Sequence, residues 1–256
     1  MSSPLLDRVQ EILERERVWS AYALADLDPP HAEQAHWLAG DDAVVLSYAG
    51  FDPPVLFAAG DPGEAATLLA QVPAGCHLFT LMATHRALLN DRVLEFRETI
   101  MWRMALRLEA HDASLAQGAQ ALSADDLPAI VSLFGDCADR PDAFDPVQLA
   151  DRAFFGVWYG RQLVAVAGTH VISEARGVAA VGNVFTHPGH RGRGLATITT
   201  AAVVRELQRR SGIQTIVLNV AQDNEPAVRC YQRLGFRPFC GYHEGDGLLG
   251  PASPSL

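Results

Sequence analysis

One stretch constrains the fold more than any other: a buried strand that runs through a glycine-rich turn directly into a helix, over residues 184–196. Glycines 192 and 194 allow left-handed backbone and let a ligand approach without a Cβ in the way. The N–H groups of such a turn and the positive end of the helix dipole converge on one point. The stretch therefore predicts an anion site, with Arg191 and Arg193 as additional phosphate donors. The alternative is a turn that needs glycine only for its own backbone.

The sequence around this turn has the hydrophobic pattern of an α/β domain, which we place at residues 116–244. Short apolar runs alternate with amphipathic stretches, which predicts strands and helices in turn. Strands are predicted at residues 154–159, 163–171, 178–186, 216–220 and 236–242. Helices are predicted after a capping box formed by Ser123 and Asp126, over residues 194–210 and over residues 226–234, and a polar loop is predicted over residues 136–145.

The first 115 residues predict a separate, smaller α/β lobe. Its helices are expected near residues 5–13, 22–24, 61–69 and 85–90, and its strands at residues 43–48, 54–58, 77–82 and 100–108. The turn at residues 60–64 has two acids, no arginine and a proline that lacks an N–H, so we expect no pyrophosphate site there. Residues 245–256, rich in Gly, Pro and Ser, are expected to form a flexible tail.

Composition excludes several classes of function. All 20 basic residues are arginine, so a lysine Schiff base and a P-loop lysine are excluded. The formal charge of -10 argues against nucleic acid as a partner. No apolar segment reaches the length of about 18 residues that spans a membrane. Charged residues interrupt residues 5–19, so this stretch is not expected to act as a signal peptide. The four cysteines show no paired or metal-finger spacing, which favours reduced thiols in the cytoplasm and no metal site.

Two motifs resemble those of the GNAT N-acetyltransferase superfamily. Arg191-x-x-Gly194-x-Ala196 matches its R/Q-x-x-G-x-G/A phosphate loop. Farther along, Asn219, the run of residues 224–227, Tyr231 and residues 234–236 resemble its second signature in order and spacing. The resemblance implies a mixed, mostly antiparallel central sheet flanked by helices, with acetyl-CoA or another short acyl-CoA as co-substrate and no metal. It leaves two interpretations of the first lobe: a degenerate GNAT-like half that walls the acceptor side of a cleft, or an unrelated packing lobe.

The resemblance also assigns site residues. The end of the strand, if it carries the bulge found in this family, offers N–H groups to pantetheine and to the thioester carbonyl. The residues expected to bind the co-substrate are Val184, Phe185, Thr186, Arg191, Gly192, Arg193, Gly194, Leu195, Ala196, Asn219 and Asn224. For Asn224 a helix N-cap is an equally good explanation. Tyr231 is the candidate general acid for the departing thiolate, and its alternative is a core aromatic whose hydroxyl bonds to backbone.

The general base is not evident. Many family members carry a carboxylate on the strand that corresponds to residues 178–185, where this chain has only Asn183 as a polar side chain. A water relay through Asn183 is one route. The other candidates are His170, Glu174, His187 and Asp223.

These observations predict a cytoplasmic enzyme, monomeric or homodimeric, that moves an acetyl or short acyl group from CoA to a primary amine. Two other functions remain compatible with the sequence. One is a non-catalytic sensor of acyl-CoA, favoured by the missing carboxylate. The other is an aminoacyl-transferase-like enzyme on the same fold, which the net negative charge disfavours.

Overall fold

The computed structural model describes residues 3–107, 113–135, 137, 140–141, 143–151 and 153–252. Its helices are α1 (Pro4–Arg15), α2 (Ala21–Ala25), α3 (Pro62–Leu69), α4 (Ala83–Ala87), α5 (Leu127–Phe134), α6 (Leu195–Arg209) and α7 (Glu225–Arg233). Its strands are β1 (Ala35–Ala39), β2 (Ala43–Tyr48), β3 (Val55–Gly60), β4 (Gly75–Met82), β5 (Val93–Leu106), β6 (Gln120–Ala121), β7 (Phe155–Tyr159), β8 (Gln162–Ser173), β9 (Val178–Thr186), β10 (Thr215–Ala221) and β11 (Phe236–Leu249).

The chain divides into two compact units. Unit 1 comprises Met1–Arg103 together with Pro238–Leu256, and unit 2 comprises Met104–Arg237. The divisions fall inside β5 and β11, so each of these strands begins in one unit and ends in the other. The boundary predicted at residue 115 and the end predicted at residue 244 therefore both differ from the structure, because a strand shared by two units leaves no linker-like composition at the division.

The predicted flexible tail is wrong as far as Leu249. Residues 242–249 of β11 pair antiparallel with β4, with Gly245 opposite Phe79 and Leu249 opposite Gly75. A Cβ on Gly245 would collide with the carbonyl of Arg97 on β5. The glycines that suggest flexibility in the sequence are thus positions where backbones approach closely.

Unit 1 is a sheet with strand order β1-β2-β3-β4-β11-β5. The pairs β1–β2 and β2–β3 are antiparallel, whereas β3–β4 is parallel. Helix α3 starts at Pro62 after the predicted N-cap Asp61, whose side chain accepts a hydrogen bond from the Glu64 N–H at 2.9 Å. Strand β1 was not predicted from the sequence; it is short, only partly buried along its length, and pairs on only one side in this order.

An aromatic cluster fixes α2 in unit 1. The Trp19 indole stacks on Phe57 at 5.2 Å between ring centroids and donates its Nε1 hydrogen to the Ala58 carbonyl at 3.1 Å. The guanidinium of Arg103 is buried over the rings of Trp19, Tyr22 and Tyr242, at 4.7 to 5.5 Å from the centroids. Cation–π contacts of this kind stabilise a buried arginine, and they hold α2, which is followed by its C-cap residue Asp26.

Unit 2 contains strands in the order β10-β9-β8-β7-β6. The pairs are antiparallel apart from β10–β9, which is parallel. The predicted strands and helices of this unit are present, including the nearly wholly buried β9 and the capping box of Ser123 and Asp126. The core beneath the sheet includes Ile130, Phe154 and Phe185.

Part of the predicted polar loop, at residues 136, 138–139 and 142, lies outside the described residues. No helix of the part that is described is long and apolar enough to cross a membrane.

Candidate active site

Strands β9 and β10 run side by side only for their first halves. Their pairing begins with Val178 opposite Thr215 and ends with Val181 opposite Leu218. Beyond that point residues 182–186 of β9 and residues 219–221 of β10 are not paired with each other. The facing backbone edges of these residues are therefore available to an extended ligand, by the same hydrogen-bonding geometry that pairs strands.

The second half of β9, which pairs with β8 but not with β10, carries the bulge that the family resemblance implies. Val166 of β8 lies opposite Phe185, but Gly168 lies opposite Gly182, so two steps on β8 correspond to three on β9. The extra residue coincides with Asn183, which has a φ of 53°. Asparagine tolerates this left-handed conformation better than most residues. A bulge of this kind re-aims backbone groups and bends the strand.

Asn183 is held at the bulge by its side-chain amide. It is only 3% exposed, and its Nδ2 donates to Gln148 Oε1 at 2.9 Å and to the Thr169 carbonyl at 3.4 Å. Its Oδ1 is buried and accepts no hydrogen bond from any described residue. A buried acceptor without a donor is costly, so this oxygen is a ready acceptor for a water molecule or a substrate N–H.

The glycine-rich turn leaves the end of β9 through a short 3-10 turn. His187 Nδ1 accepts the Gly189 N–H at 3.1 Å and fixes this turn. Arg191 Nε donates to the carbonyl of Thr186 at 3.1 Å. The Arg191 guanidinium also lies 5.7 Å from the centroid of the Phe185 ring. Both contacts anchor Arg191 to the end of the strand.

The turn then presents the start of α6 to solvent. Gly192 and Gly194 have φ angles of 75° and 76°, and a Cβ added to either would meet no atom within 4 Å. Ile198 donates to the Gly194 carbonyl at 3.1 Å, so the N–H groups that precede it in the first turn have no intrahelical acceptor. Residues 191–194 are exposed, so a phosphate can reach these N–H groups and the positive end of the helix dipole.

A contact between α6 and α7 links the start of α6 to Tyr231. Thr197 Oγ1, in the first turn of α6, lies 3.2 Å from Cys230 Sγ on α7. The neighbouring Tyr231 is 7% exposed and packs edge-on against Phe236, with the ring centroids 6.2 Å apart. Its hydroxyl forms no hydrogen bond with the described part of the chain. Burial raises the pKa of the Tyr231 phenol well above its ordinary value, so the group keeps its proton at neutral pH.

The two remaining asparagines differ in what they do. Asn224 caps α7, because its side chain accepts the Ala227 N–H at 3.3 Å, and this is the alternative that the sequence left open. Asn219 is the first residue of β10 beyond the paired segment. Its Oδ1 is buried and has no donor among the residues described. Asn219 therefore offers an unused acceptor beside the unpaired strand ends.

Of the four candidate bases, the structure brings His170 to the bulge. Its ring covers Gly182 so closely that a Cβ there would collide with it. Glu174 instead forms an ion pair with Arg210 at 3.6 Å, beyond the opposite end of β9. His187 is used to fix the 3-10 turn. Asp223 is exposed in the turn that precedes α7.

A second basic feature of unit 2 was not predicted from the sequence. A shallow depression of about 340 Å³ is lined by Arg229, Gln232, Arg233 and Arg237. Its signal in the sequence is the four-residue spacing of Arg229 and Arg233, which places both on one face of α7. Three guanidinium groups around one depression favour an anion there. No group of three or more His, Cys, Asp or Glu side chains that could hold a metal ion occurs within the described ranges.

Part of the chain is similar in sequence to known proteins. The model of the acetyltransferase (GNAT) family matches residues 123–236. A mycothiol acetyltransferase of Catenulispora acidiphila is 36% identical over 97 residues, which make up 36% of this chain and 29% of that protein. The chain thus spans about a third of the length of the curated relatives that it matches.

Solved structures cover nearly all of the chain. A GNAT-family protein from Novosphingobium aromaticivorans is 25% identical, with a TM-score of 0.58 over 92% of this chain and 97% of that one. A tandem GNAT protein from the clavulanic acid biosynthesis pathway shares 14% identity, with a TM-score of 0.56 over 100% of this chain and 98% of that one. These likenesses confirm the predicted mixed, mostly antiparallel sheet flanked by helices and the second α/β lobe. The GNAT resemblance found in the sequence is confirmed over residues 123–236, where the chain matches the model of the acetyltransferase (GNAT) family.

Proposed function

We propose that unit 2 transfers an acetyl, or another short acyl, group from its CoA thioester to a primary amine. The observation that carries this proposal is the combination of an exposed anion site at the start of α6 with an unpaired, bulged strand end on β9 immediately before it. A pyrophosphate fits the first, and an extended chain with amide groups fits the second. Acyl-CoA carries both of these groups, joined in one molecule.

The N–H groups of residues 192–197 and the guanidinium of Arg193 would hold the pyrophosphate. The free edge of residues 184–186 would bind the pantetheine amides and donate to the thioester carbonyl, where negative charge develops during acyl transfer. Asn219 and Asn224 would add polar contacts to the same molecule. This assignment uses every residue predicted to bind the co-substrate except Arg191, whose Nε donates to the Thr186 carbonyl.

The chemistry requires one proton to leave the amine and one to reach the thiolate. The amine nitrogen forms a bond to the acyl carbon, and the carbon–sulfur bond breaks. His170 is the base that we infer for the amine proton, directly or through a water held by Asn183 Oδ1. Tyr231 supplies the proton for the sulfur, because its phenol is neutral and has no other partner among the described residues.

Acetyl-CoA should stabilise the folded protein. A ligand that binds only the native state adds RT ln(1 + [L]/Kd), which is about 2.7 kcal/mol at a hundredfold excess over Kd. Thermal unfolding with millimolar acetyl-CoA should therefore show a higher Tm, whereas the thioester fragment N,S-diacetylcysteamine, which lacks the pyrophosphate, should give little shift. An unchanged Tm with acetyl-CoA would rule out the proposed co-substrate.

Binding and turnover together separate an enzyme from a sensor. Isothermal titration with acetyl-CoA measures the first, and release of free CoA thiol across a panel of primary amines measures the second. Saturable binding without thiol release for any amine would support the sensor.

Gly194→Val should weaken acetyl-CoA binding about ten- to a hundredfold, the loss expected when one or two hydrogen bonds to a charged group are broken. The matched control is Gly177→Val. Gly177 has a φ of 67° in the turn before β9, at the opposite end of that strand from the anion site. Both substitutions place a branched side chain in left-handed backbone, which costs about 1–3 kcal/mol of strain.

Isothermal titration of both variants with acetyl-CoA isolates the effect on binding from this shared strain. Gly177→Val should bind as the unaltered protein does. Equal affinities for the two variants would show that Gly194 is needed only for the backbone of the turn.

A further inference from the structure

Unit 1 contains a pocket that lies outside the residues assigned to acyl transfer. Its volume is about 330 Å³, and its lining includes Leu5, Leu6, Asp26, Leu27, Ala32 and Trp37. Leu5 and Leu6 belong to α1, and Trp37 belongs to β1. Asp26 and Leu27 follow the end of α2, and Ala32 lies in a short 3-10 turn before β1. The volume falls at the lower end of pockets that bind small molecules, and the lining is apolar apart from a few polar groups, as in most such sites.

The carboxylate of Asp26 is the exceptional group in this pocket. Asp26 is only 8% exposed, and its side chain makes no hydrogen bond or ion pair with any residue of the described ranges. Its own N–H is used within the helix, where it donates to the Tyr22 carbonyl at 3.0 Å. Buried carboxylates are normally paired or hydrogen-bonded. An unpaired one that opens into a pocket implies that its partner comes from outside the chain.

The neighbouring polar groups do not replace such a partner. The Tyr22 and Tyr48 phenols are close enough to interact electrostatically with Asp26 but donate no hydrogen bond to it. The Tyr48 hydroxyl is instead 2.8 Å from His31 Nδ1. His36 lines the pocket from β1 and is exposed. None of these side chains is a permanent cation.

We propose that this pocket binds a small organic ammonium ion, in which a primary amine contacts Asp26 and an apolar group packs between Leu27 and Trp37. A charge-assisted hydrogen bond from the ammonium satisfies the buried carboxylate, and the aliphatic and indole surfaces take the rest of the ligand. Burial raises the pKa of Asp26 to about 7, which is the response of a carboxylate that lacks a cation. A bound anion would add a second negative charge, so the pocket disfavours carboxylates and phosphates.

The test is isothermal titration of the full chain with 2-phenylethylamine at about pH 8, where the Asp26 carboxyl is mostly ionised. The neutral control is 2-phenylethanol, which has the same apolar group and a hydroxyl in place of the ammonium. We expect saturable binding of the amine and affinity at least about tenfold lower for the alcohol. No binding of the amine at millimolar concentration, or equal binding of the two compounds, would overturn the proposal.

Two variants locate the binding. Asp26→Asn keeps the shape of the side chain and removes its charge, so it should weaken amine binding about ten- to a hundredfold. Glu33→Gln removes an exposed carboxylate from the segment between the pocket residues Ala32 and Ala35, and it should leave binding unchanged. Equal losses of amine affinity in the two variants would show that negative charge attracts the amine only in a general way. That result would overturn the proposed site. Acetyl-CoA is absent from these titrations, so their outcome is independent of the proposed acyl transfer.

Discussion

Asp26→Asn should increase the free energy of unfolding by about 4 kcal/mol at about pH 8 and change it little below about pH 4. Burial raises the pKa of the folded Asp26 carboxyl from 3.8 to about 7, and each unit of difference between folded and unfolded pKa is worth about 1.4 kcal/mol. Because the folded pKa is the higher one, the unfolded chain loses its proton first. The stability that the protonated Asp26 carboxyl allows is therefore fully present below the unfolded pKa. It is lost as pH rises from the unfolded pKa through the folded pKa. Asparagine does not ionise, so the variant avoids this loss.

Urea unfolding at the two pH values measures the effect, in phosphate buffer because an amine buffer could occupy the pocket. The groups that face Asp26 are the Tyr22 and Tyr48 phenols, whose pKa values are raised by burial, to about 12 for Tyr48, and His36 of β1. All three groups are present in the unaltered protein and in Asp26→Asn, so their titration cancels when the two free energies of unfolding are compared. Glu33→Gln is the control. Its effect on the free energy of unfolding should be the same at both pH values, because Glu33 is exposed. A gain from Asp26→Asn of the same size at both pH values would contradict the explanation by ionisation.

The sequence predicted most of unit 2 because its signals are local. The capping box of Ser123 and Asp126, the two-residue turn between β7 and β8, and the glycines at 192 and 194 each specify a backbone geometry within a few residues. The bulge on β9 also has a local signal in Asn183, the one strongly polar residue of an otherwise apolar run. Residues that depend on short-range geometry can be found from sequence alone.

Unit 1 and the division of the chain could not be predicted in the same way. Strand β11 continues to Leu249 because it pairs with β4, which is far away in sequence, and β5 starts earlier than the strand predicted at residues 100–108. The burial of Asp26 likewise depends on α1 and β1 closing around it. In the sequence Asp26 precedes an Asp-Pro-Pro segment and is indistinguishable from a solvated turn residue. Tertiary contacts decide such positions.

Individual groups in the candidate site also differ in whether local sequence or tertiary contacts decide their role. The sequence left Asn224 between co-substrate binding and helix capping, and the observed cap uses its Oδ1 but leaves its amide hydrogens free to donate. The four candidate bases were equivalent in the sequence. Only the packing of the His170 ring on Gly182 distinguishes one of them, because it depends on the pairing of β8 with β9.

Tyr231→Phe should lower kcat about 10²- to 10⁴-fold, the usual contribution of a general acid, and should change the affinity for acetyl-CoA little. The ring packs against Phe236, and phenylalanine keeps that contact. The hydroxyl makes no hydrogen bond to the described residues, so its removal should leave no orphaned protein partner. The lost group is the one that we propose as the proton donor for the thiolate. Steady-state release of CoA thiol gives kcat, and isothermal titration with acetyl-CoA gives the affinity.

Tyr159→Phe is the matched control, because Tyr159 belongs to the same unit and is 69% exposed on β7. Removing its hydroxyl should leave kcat within about twofold, since exposed groups outside a site contribute little to stability or catalysis. The two variants differ only in which phenol is lost, so a selective effect at Tyr231 identifies the donor. If the folded Tyr231→Phe variant keeps most of its kcat, water protonates the thiolate and Tyr231 serves only the packing between α7 and Phe236. The affinity for acetyl-CoA should survive in either case, because the proposed anion site at the start of α6 does not use this hydroxyl.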